Sequence, residues 1–123
     1  MEEGHGTVYY KNGKKKYRGE FEDYKRHGHG IAYYKHGVKL YEGSWIEDAK
    51  DGHGLLFDGG GKKIFEGSWK NDKKEGVGKE FGQKGEVRYE GSFEDGMKSG
   101  FGISFKENEH DLKDYEGRWA NDK

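Results

Sequence analysis

Six histidines are the residues of this chain best suited to chemistry, and they stand at positions 5, 27, 29, 36, 53 and 110. The stretch His27-Gly28-His29 has a spacing from which a metal site could be built. One equivalent position of an internal repeat, however, holds a histidine three times and an apolar residue twice: His5, His29, His53, Val77 and Phe101. A position that accepts valine and phenylalanine predicts packing. We therefore expect no metal site and no cofactor.

Carboxylates and hydroxyls recur in the same regular way. A glutamate follows the first aromatic residue of four repeat units, at Glu42, Glu66, Glu90 and Glu116. Two such groups could form the acid–base pair of a glycosidase, but a group repeated at every step predicts a solvated residue or a cross-strand partner of Lys or Arg.

Residues 59–62 lack the spacing and the helix of a phosphate loop. The serines at 44, 68 and 92 do not lie at a strand–helix elbow, and there is no cysteine. We expect no enzyme activity.

An internal repeat of 24 residues positions all of these groups. A Gly-x-Gly pair begins at Gly4, Gly28, Gly52, Gly76 and Gly100. An aromatic-x-Gly-x-aromatic motif runs in phase with it, as in 41–45 and 65–69, and only its last step is longer, at 26 residues. We divide residues 1–123 into a single array with a half unit at 1–16, units at 17–40, 41–64, 65–88 and 89–114, and a half unit at 115–123.

Each unit contains two segments with the alternation of half-buried β-strands, for example 41–45 and 53–57. A lone hairpin is marginal in water, so neighbouring hairpins must supply the missing burial. The predicted fold is all-β, with hairpins stacked into one elongated, twisted antiparallel sheet. We expect Gly43 to leave a gap for an aromatic ring of a neighbouring strand, and Gly52 to adopt a positive φ at a bulge. Strand register stays open, and with it the set of aromatic residues that share a face.

Composition excludes several classes of protein. The 23 Lys and Arg residues are balanced by 24 Asp and Glu, which argues against a dedicated nucleic-acid binder. Mean hydropathy is −1.32, yet aromatic residues make up 15% of the chain, so a thin structure with an aromatic core fits better than a disordered chain. No apolar run approaches the length of a membrane span, and the first residues lack the features of a secretory signal. We expect an intracellular, cytoplasmic protein.

The unit 41–57 resembles the MORN repeat, with its Tyr-x-Gly-x-Trp motif, polar turn, Gly-x-Gly pair and following aromatic residue. The resemblance covers nearly the whole chain. It implies a curved or twisted rod of hairpins, and roles in scaffolding, in assembly and in anchoring at cytoskeletal, ciliary or membrane structures. The chain departs from the pattern at the hairpin turn, where only Gly96 keeps the glycine. The other turns carry Tyr24, Asp48 and Asp72, which leaves their geometry undefined.

An aromatic ladder is the feature most able to bind a partner. An aromatic residue follows each Gly pair by three positions, at Tyr9, Tyr33, Phe57, Phe81 and Phe105. The ladder is either the core or, because a single sheet cannot bury both faces, an exposed groove for a helix or strand of another protein. Apolar residues that do not recur could add specificity. The residues that we predict to bind a protein partner are Tyr33, Phe57, Phe81, Phe105, Tyr34, Leu56 and Phe101.

Three functions are compatible with this pattern. The first is a non-catalytic protein-interaction scaffold within a larger complex, with end-to-end self-association as a further option. The second is a peripheral membrane module that binds acidic phospholipids through lysine clusters at 14–16, 62–63 and 73–74. We expect these clusters to lie in comparable connections of successive units, where they could line up. The third is a regulatory repeat region of an enzyme whose catalytic part lies elsewhere.

Overall fold

A computed structural model describes residues 4–105, 113–120 and 122. Its strands are β1 (Gly4–Tyr9), β2 (Lys15–Glu22), β3 (Lys25–Tyr33), β4 (Lys39–Ile46), β5 (Ala49–Phe57), β6 (Lys63–Lys70), β7 (Lys73–Phe81), β8 (Val87–Glu94), β9 (Met97–Phe105) and β10 (Lys113–Trp119). All ten form one antiparallel sheet in chain order. The described residues contain no helix, and the predicted all-β fold of stacked hairpins is confirmed.

Two kinds of connection alternate along the sheet. Two-residue turns at 23–24, 47–48, 71–72 and 95–96 lie on one side, which we call the turn edge. Longer connections at 10–14, 34–38, 58–62 and 82–86 lie on the other side, the loop edge. The long connections also bond to one another, since the Asn12 side-chain amide donates to Lys35 O at 2.9 Å and the His36 Nε2 lies at hydrogen-bond distance from Gly59 O, at 2.8 Å. Neighbouring repeats are therefore tied together outside the sheet as well as within it.

The short turns keep one geometry although their residues differ. Both central residues have positive φ in each turn, for example 48° and 70° at Glu47 and Asp48, and 53° and 65° at Asp23 and Tyr24. Positive φ at both positions is the type I′ pattern, whose twist matches that of the flanking strands. The turn that the sequence left undefined is thus the same with or without glycine, because the sheet on either side imposes it.

An aspartate at the second turn position bonds to the preceding hairpin. The Asp48 carboxylate accepts from the main-chain N–H and the Nε of Arg26, both at 2.9 Å, and the Asp72 carboxylate accepts from Lys50 N at 2.8 Å. Partial burial would raise the pKa of Asp48, but these Arg26 hydrogen bonds outweigh it and lower the pKa below its usual value. These carboxylates satisfy main-chain donors beyond the end of the strand ladder, which explains why aspartate serves where glycine would be easier.

The core is a continuous file of aromatic rings on one face of the sheet, which we call the core face. Tyr41 meets Trp45 edge-on at 5.1 Å within one repeat, and meets Trp69 edge-on at 5.5 Å in the next. The same T-shaped contacts link every repeat, from Tyr17 to Trp119. Each such pair adds about 0.5–1.5 kcal/mol beyond the burial of its surface. Tyr41 is fully buried although no second layer covers it.

One cation per repeat covers these rings. Arg26 lies over Trp45 at 4.4 Å from its centroid, and Lys50 lies over Trp69 at 5.2 Å. Lys74 and Lys98 continue the series over Phe65 and Trp119. Burial among the rings lowers the pKa of Lys50, while the Asp72 carboxylate opposes that shift. The aliphatic stems and charged heads of these side chains replace the second layer that a sandwich would supply.

A row of paired glycines crosses the sheet and makes room for the rings. A Cβ added to Gly54 would overlap the phenol ring of Tyr41, which belongs to the neighbouring strand β4. A Cβ added to Gly43, which lies in the same strand as Tyr41, would meet Gly54 Cα at 2.5 Å and the Tyr41 hydroxyl at 2.8 Å. The gap for a neighbouring ring therefore lies at Gly54, and our assignment of it to Gly43 was wrong. The expected positive φ of Gly52 is confirmed at 100°, beside a register shift opposite Trp45.

Candidate interaction face

The face opposite the core, which we call the open face, carries side chains that no second layer covers. Because side chains alternate along a strand, Tyr41 and Trp45 point to the core face, while Glu42 and Ser44 point to the open face. The paired strands align the open-face residues into rows that run across all the repeats. Three such rows matter for binding.

The aromatic–lysine row lies nearest the loop edge. Strand pairing joins Tyr33 to Lys39 and Phe57 to Lys63. Lys63 reaches on to the next repeat, with its ammonium 4.6 Å from the centroid of the Phe81 ring. The row therefore alternates aromatic rings and lysines, and consists of Tyr9, Lys15, Tyr33, Lys39, Phe57, Lys63, Phe81, Val87 and Phe105.

The predicted ladder thus lies on the open face. The buried core cluster contains none of the ladder residues. The interpretation of the ladder as the core is therefore wrong, and the ladder lies on the face that no second layer covers. Phe57, Phe81 and Phe105 are partly exposed, whereas Tyr33 is only 7% exposed.

The glutamate row runs beside it. Its members are directly paired across the sheet: Thr7, Arg18, Ile31, Glu42, Leu55, Glu66, Lys79, Glu90, Ile103 and Glu116. Glu42 lies 3.0 Å from Lys39, and Glu66 lies 2.7 Å from Lys63. The hydrogen bond from Lys63 lowers the pKa of Glu66, so this carboxylate stays ionised. Glu42 and Glu66 thus bind lysines of their own strands, and strand pairing also places Lys79 directly across from Glu66 and Glu90.

The histidine–serine row lies on the turn side of the glutamate row, and consists of His5, Glu20, His29, Ser44, His53, Ser68, Val77, Ser92, Phe101 and Arg118. Val77 is 66% exposed and Phe101 is 53% exposed. The prediction that this position packs is wrong, because the position faces away from the core. Between the two rows runs a groove of about 410 Å³, whose lining includes His29, Ser44, His53, Glu42, Leu55 and Glu66.

Two of the residues predicted to bind a partner lie elsewhere. Leu56 packs against the core cluster, because it faces Tyr41 across the strand pair. Tyr34 belongs to a long connection, where its ring stacks on His36 at 5.5 Å and its hydroxyl is bonded to Phe57 O. The structure brings together the other five on the open face, with Phe101 in the histidine–serine row.

Sequence reasoning missed three aliphatic residues of the open face. Ile31, Leu55 and Ile103 follow the second glycine of the pair directly and lie in the glutamate row beside the aromatic ladder. The signal was available, since Leu55 and Phe57 are two positions apart in one strand and must therefore share a face.

The lysine clusters do not line up. Lys14 and Lys62 belong to the loop edge, whereas Lys73 begins β7 beside a short turn on the turn edge. The expectation of comparable connections is therefore wrong, and the rod has no single stripe that contains all three clusters. Within 4–105, 113–120 and 122, no group of three or more His, Cys, Asp or Glu side chains could hold a metal ion. The same residues include no helix able to span a membrane.

The MORN repeat model matches residues 1–15, 17–38, 41–62, 65–87 and 89–106, which together are most of the chain. The chain belongs to the MORN-repeat family. MORN repeats generally take part in interactions with proteins or membrane lipids, and proteins built from them are typically non-catalytic. No curated protein matches this chain.

The MORN motif corresponds directly to the two faces of the sheet. Its Tyr-x-Gly-x-Trp residues supply the core-face rings, as Tyr41 and Trp45 do here. Its later aromatic residue, Phe57 in the same unit, lies in the aromatic–lysine row of the open face. Core and candidate binding surface are therefore built from different positions of the same repeat.

Proposed function

We propose that this MORN array is a non-catalytic protein-interaction scaffold whose open face binds its partner. The observation that carries the proposal is that one face of the sheet buries its aromatic rings whereas the other face leaves apolar side chains exposed. The core face buries its aromatic file under Arg26, Lys50, Lys74 and Lys98, whereas the open face leaves Phe101 53% exposed and Phe57, Phe81 and Phe105 partly exposed. Apolar side chains arranged in rows with charged groups between them are typical of a protein-binding surface.

We further propose that the protein is a structural subunit of a larger intracellular assembly of cytoskeletal, ciliary or membrane-associated type. The rod form supports this, because a repeated face can be engaged over several repeats and gain avidity from each. The proposal that acidic phospholipids bind instead has weaker support, because the lysine clusters are split between two edges.

Crosslinking after capture from the source cells tests the assignment of the face. Lysines report on both sides of the sheet, since Lys39 and Lys63 lie on the open face while Lys50 and Lys74 lie on the core face. We expect crosslinks to one or two defined proteins to concentrate on Lys39 and Lys63 and to survive high salt. Crosslinks spread equally over both faces would contradict the proposal, and capture of acidic vesicles that disappears in high salt would favour the lipid function.

A pair of variants completes the test. Phe57→Ser with Phe81→Ser should abolish capture with little loss of stability, because both rings are partly exposed and lie outside the core. Tyr24→Ser is the matched control, since Tyr24 is 74% exposed but lies at a turn away from the face. If the double variant unfolds, its rings are core residues and the proposal is wrong.

A further inference from the structure

The exposed rings of the aromatic–lysine row recur at one interval. Phe57, Phe81 and Phe105 are the last residues of β5, β7 and β9, and each is partly exposed. One strand lies between each ring and the next. Neighbouring strands are about 4.8 Å apart, so successive rings are about 9.6 Å apart along the row. A partner that lies along this row must present its own contacts at about the same interval.

The interval is maintained at the loop edge, where the twist of a sheet could otherwise spread the repeats apart. The short side chains of Asn12 and His36 each reach a main-chain oxygen of the next long connection, Lys35 O and Gly59 O. The pairing of each hairpin with the next also has the same register from repeat to repeat. Successive rings therefore occupy equivalent positions at a nearly constant spacing.

This interval distinguishes between the possible conformations of a bound segment. A polyproline II helix has three residues per turn and a rise of about 3.1 Å, so every third residue recurs at about 9.3 Å. The heptad positions of an α-helix recur at about 10.5 Å. Alternate residues of a β-strand recur at about 6.8 Å. Over the two intervals from Phe57 to Phe105, a polyproline II helix departs from the rings by about 0.6 Å and an α-helix by about 1.8 Å.

The width of the row also disfavours a helix. The glutamate row lies two residues along the strand from the rings, at about 7 Å. A helix is about 10–12 Å wide with its side chains, so it would cover both rows. It would then bury Glu66, whose carboxylate stays ionised because Lys63 lowers its pKa. Removing such a charge from water is costly, whereas one extended chain can follow the rings alone and leave Glu66 in solvent.

We propose that the open face binds a proline-rich segment of a partner protein in the polyproline II conformation. The segment lies across the strands, and every third residue is a proline that packs against one ring of the row. Proline-rich segments suit aromatic-lined grooves because this conformation is already populated before binding, so little entropy is lost. This inference rests on the proposed function, since it names the class of partner for the same face.

The groove beside Phe81 indicates the charge of the segment. Its volume is about 330 Å³, and its lining contains no acidic residue: Lys62, Lys63, Phe81, Gln83, Lys84 and Gly85. The acids of these two connections, Asp58 and Glu86, instead accept main-chain hydrogen bonds within their own loops. The two residues between successive prolines flank the row on either side, so one of them faces the loop edge. We expect that residue to be acidic.

Peptide binding to the purified full chain tests the proposal. The probe is a fluorescent peptide of three Pro-Glu-Ala triplets followed by one proline, and anisotropy measures its Kd. The matched control has the same composition and charge, but its prolines are spaced irregularly. We expect the control to bind at least about tenfold more weakly, because only the triplet peptide presents a proline to each ring. Equal binding of the two peptides, or no binding of the triplet peptide, would overturn the proposal.

Variants of the chain locate the contact. Phe81→Ser removes the central ring, and Lys84→Glu reverses an exposed charge of the groove. Each should raise the Kd of the triplet peptide at least about tenfold. Lys73→Glu makes the same charge change on the turn edge and should leave the Kd unchanged. Lys84→Glu lies in a connection and tests the site even if Phe81→Ser fails to fold. Equal weakening by Lys84→Glu and Lys73→Glu would overturn the assignment to this groove.

Two other classes of partner are outcomes of the same assay. Tighter binding of an amphipathic peptide with apolar heptad positions would assign the rings to a helix. Binding of acidic vesicles without binding of the triplet peptide would assign the lysines to a membrane. Either result overturns the proposal. Capture of a defined protein through the open face, together with failure of the triplet peptide, would refute this inference and leave the proposed function intact.

Discussion

Adding one methyl group at Gly54 should be among the most damaging small changes in this protein. The phenol ring of Tyr41 lies directly over Gly54, so an added Cβ overlaps the ring. The ring has little freedom to move, because it is fully buried and held edge-on between Trp45 and Trp69. Its hydroxyl also donates to Ser44 O at 3.0 Å. A shift of the ring therefore breaks contacts in two repeats at once.

The structure sets bounds on the cost of Gly54→Ala. If the core absorbs the methyl group, overpacking costs about 1–3 kcal/mol. If the ring is expelled, the loss approaches the roughly 3–5 kcal/mol of deleting a buried aromatic side chain. We expect about 3 kcal/mol or more. Gly78→Ala should cost less, because the ring over Gly78 belongs to Phe65, which has no hydroxyl, and the nearest ring carbon would lie 2.5 Å from the new Cβ.

Gly60→Ala is the matched control. Gly60 lies in a long connection, its backbone is outside the left-handed region, and the nearest atom to an added Cβ would be an Asp58 oxygen at 3.5 Å. The change should be neutral or stabilise by up to about 1 kcal/mol, because alanine restricts the unfolded chain. Urea unfolding followed by tryptophan fluorescence measures all three variants. A Gly54→Ala variant within about 0.5 kcal/mol of the unmodified protein, or an equally damaged Gly60→Ala variant, would contradict the packing of Tyr41 over Gly54.

Three further changes test the turn edge and the core. Asp72→Ala should lower the free energy of unfolding by about 1 kcal/mol, because a main-chain N–H loses its acceptor, whereas Asp23→Ala should change it little in the same urea titration. Glu80→Gln should be mildly destabilising, by up to about 1 kcal/mol, because Glu80 lies 3.3 Å from Lys74, for which the neighbouring turn offers Gly96 where Lys50 has Asp72. A thermal melt in which the variant equals the unmodified protein would refute this. Burial raises the pKa of Tyr17 from 10.0 to about 12, so stability from its neutral form is complete below pH 10 and is lost as pH rises towards 12. Tyr17→Phe should flatten that part of the stability–pH curve, and an unchanged slope would contradict the assigned cause.

Much of the fold could be predicted because repetition makes local signals reliable. The Gly-x-Gly pair and the aromatic motif recur in phase, so the hairpin repeat and the positive φ of Gly52 followed from spacing alone. The type I′ turn at Tyr24 could not be predicted, because a bulky residue at φ 65° is unfavourable in isolation. There the pairing of β2 and β3 imposes the turn on a residue that does not favour it.

The candidate site was only half predictable. Five of the seven residues proposed to bind a partner lie on the open face, and alternation from Phe57 would have selected Leu55 in place of Leu56. These neighbours point to opposite faces, so their roles depend on register. The histidine position misled for a related reason. Valine and phenylalanine normally indicate burial, yet Val77 and Phe101 are exposed because this sheet has no second layer on that side.

The sequence by itself determined the period of the array, its hairpin architecture, its family and the positions where only glycine fits. The tertiary structure alone decided which aromatic residues form the core and which remain on the open face. The physical reason is that alternation along a strand has a period of two, whereas each repeat contains register shifts, such as those beside Trp45 and Phe57. Each bulge changes the correspondence between sequence position and face. Counting along the chain therefore finds the strands, but only strand pairing assigns their side chains to a surface.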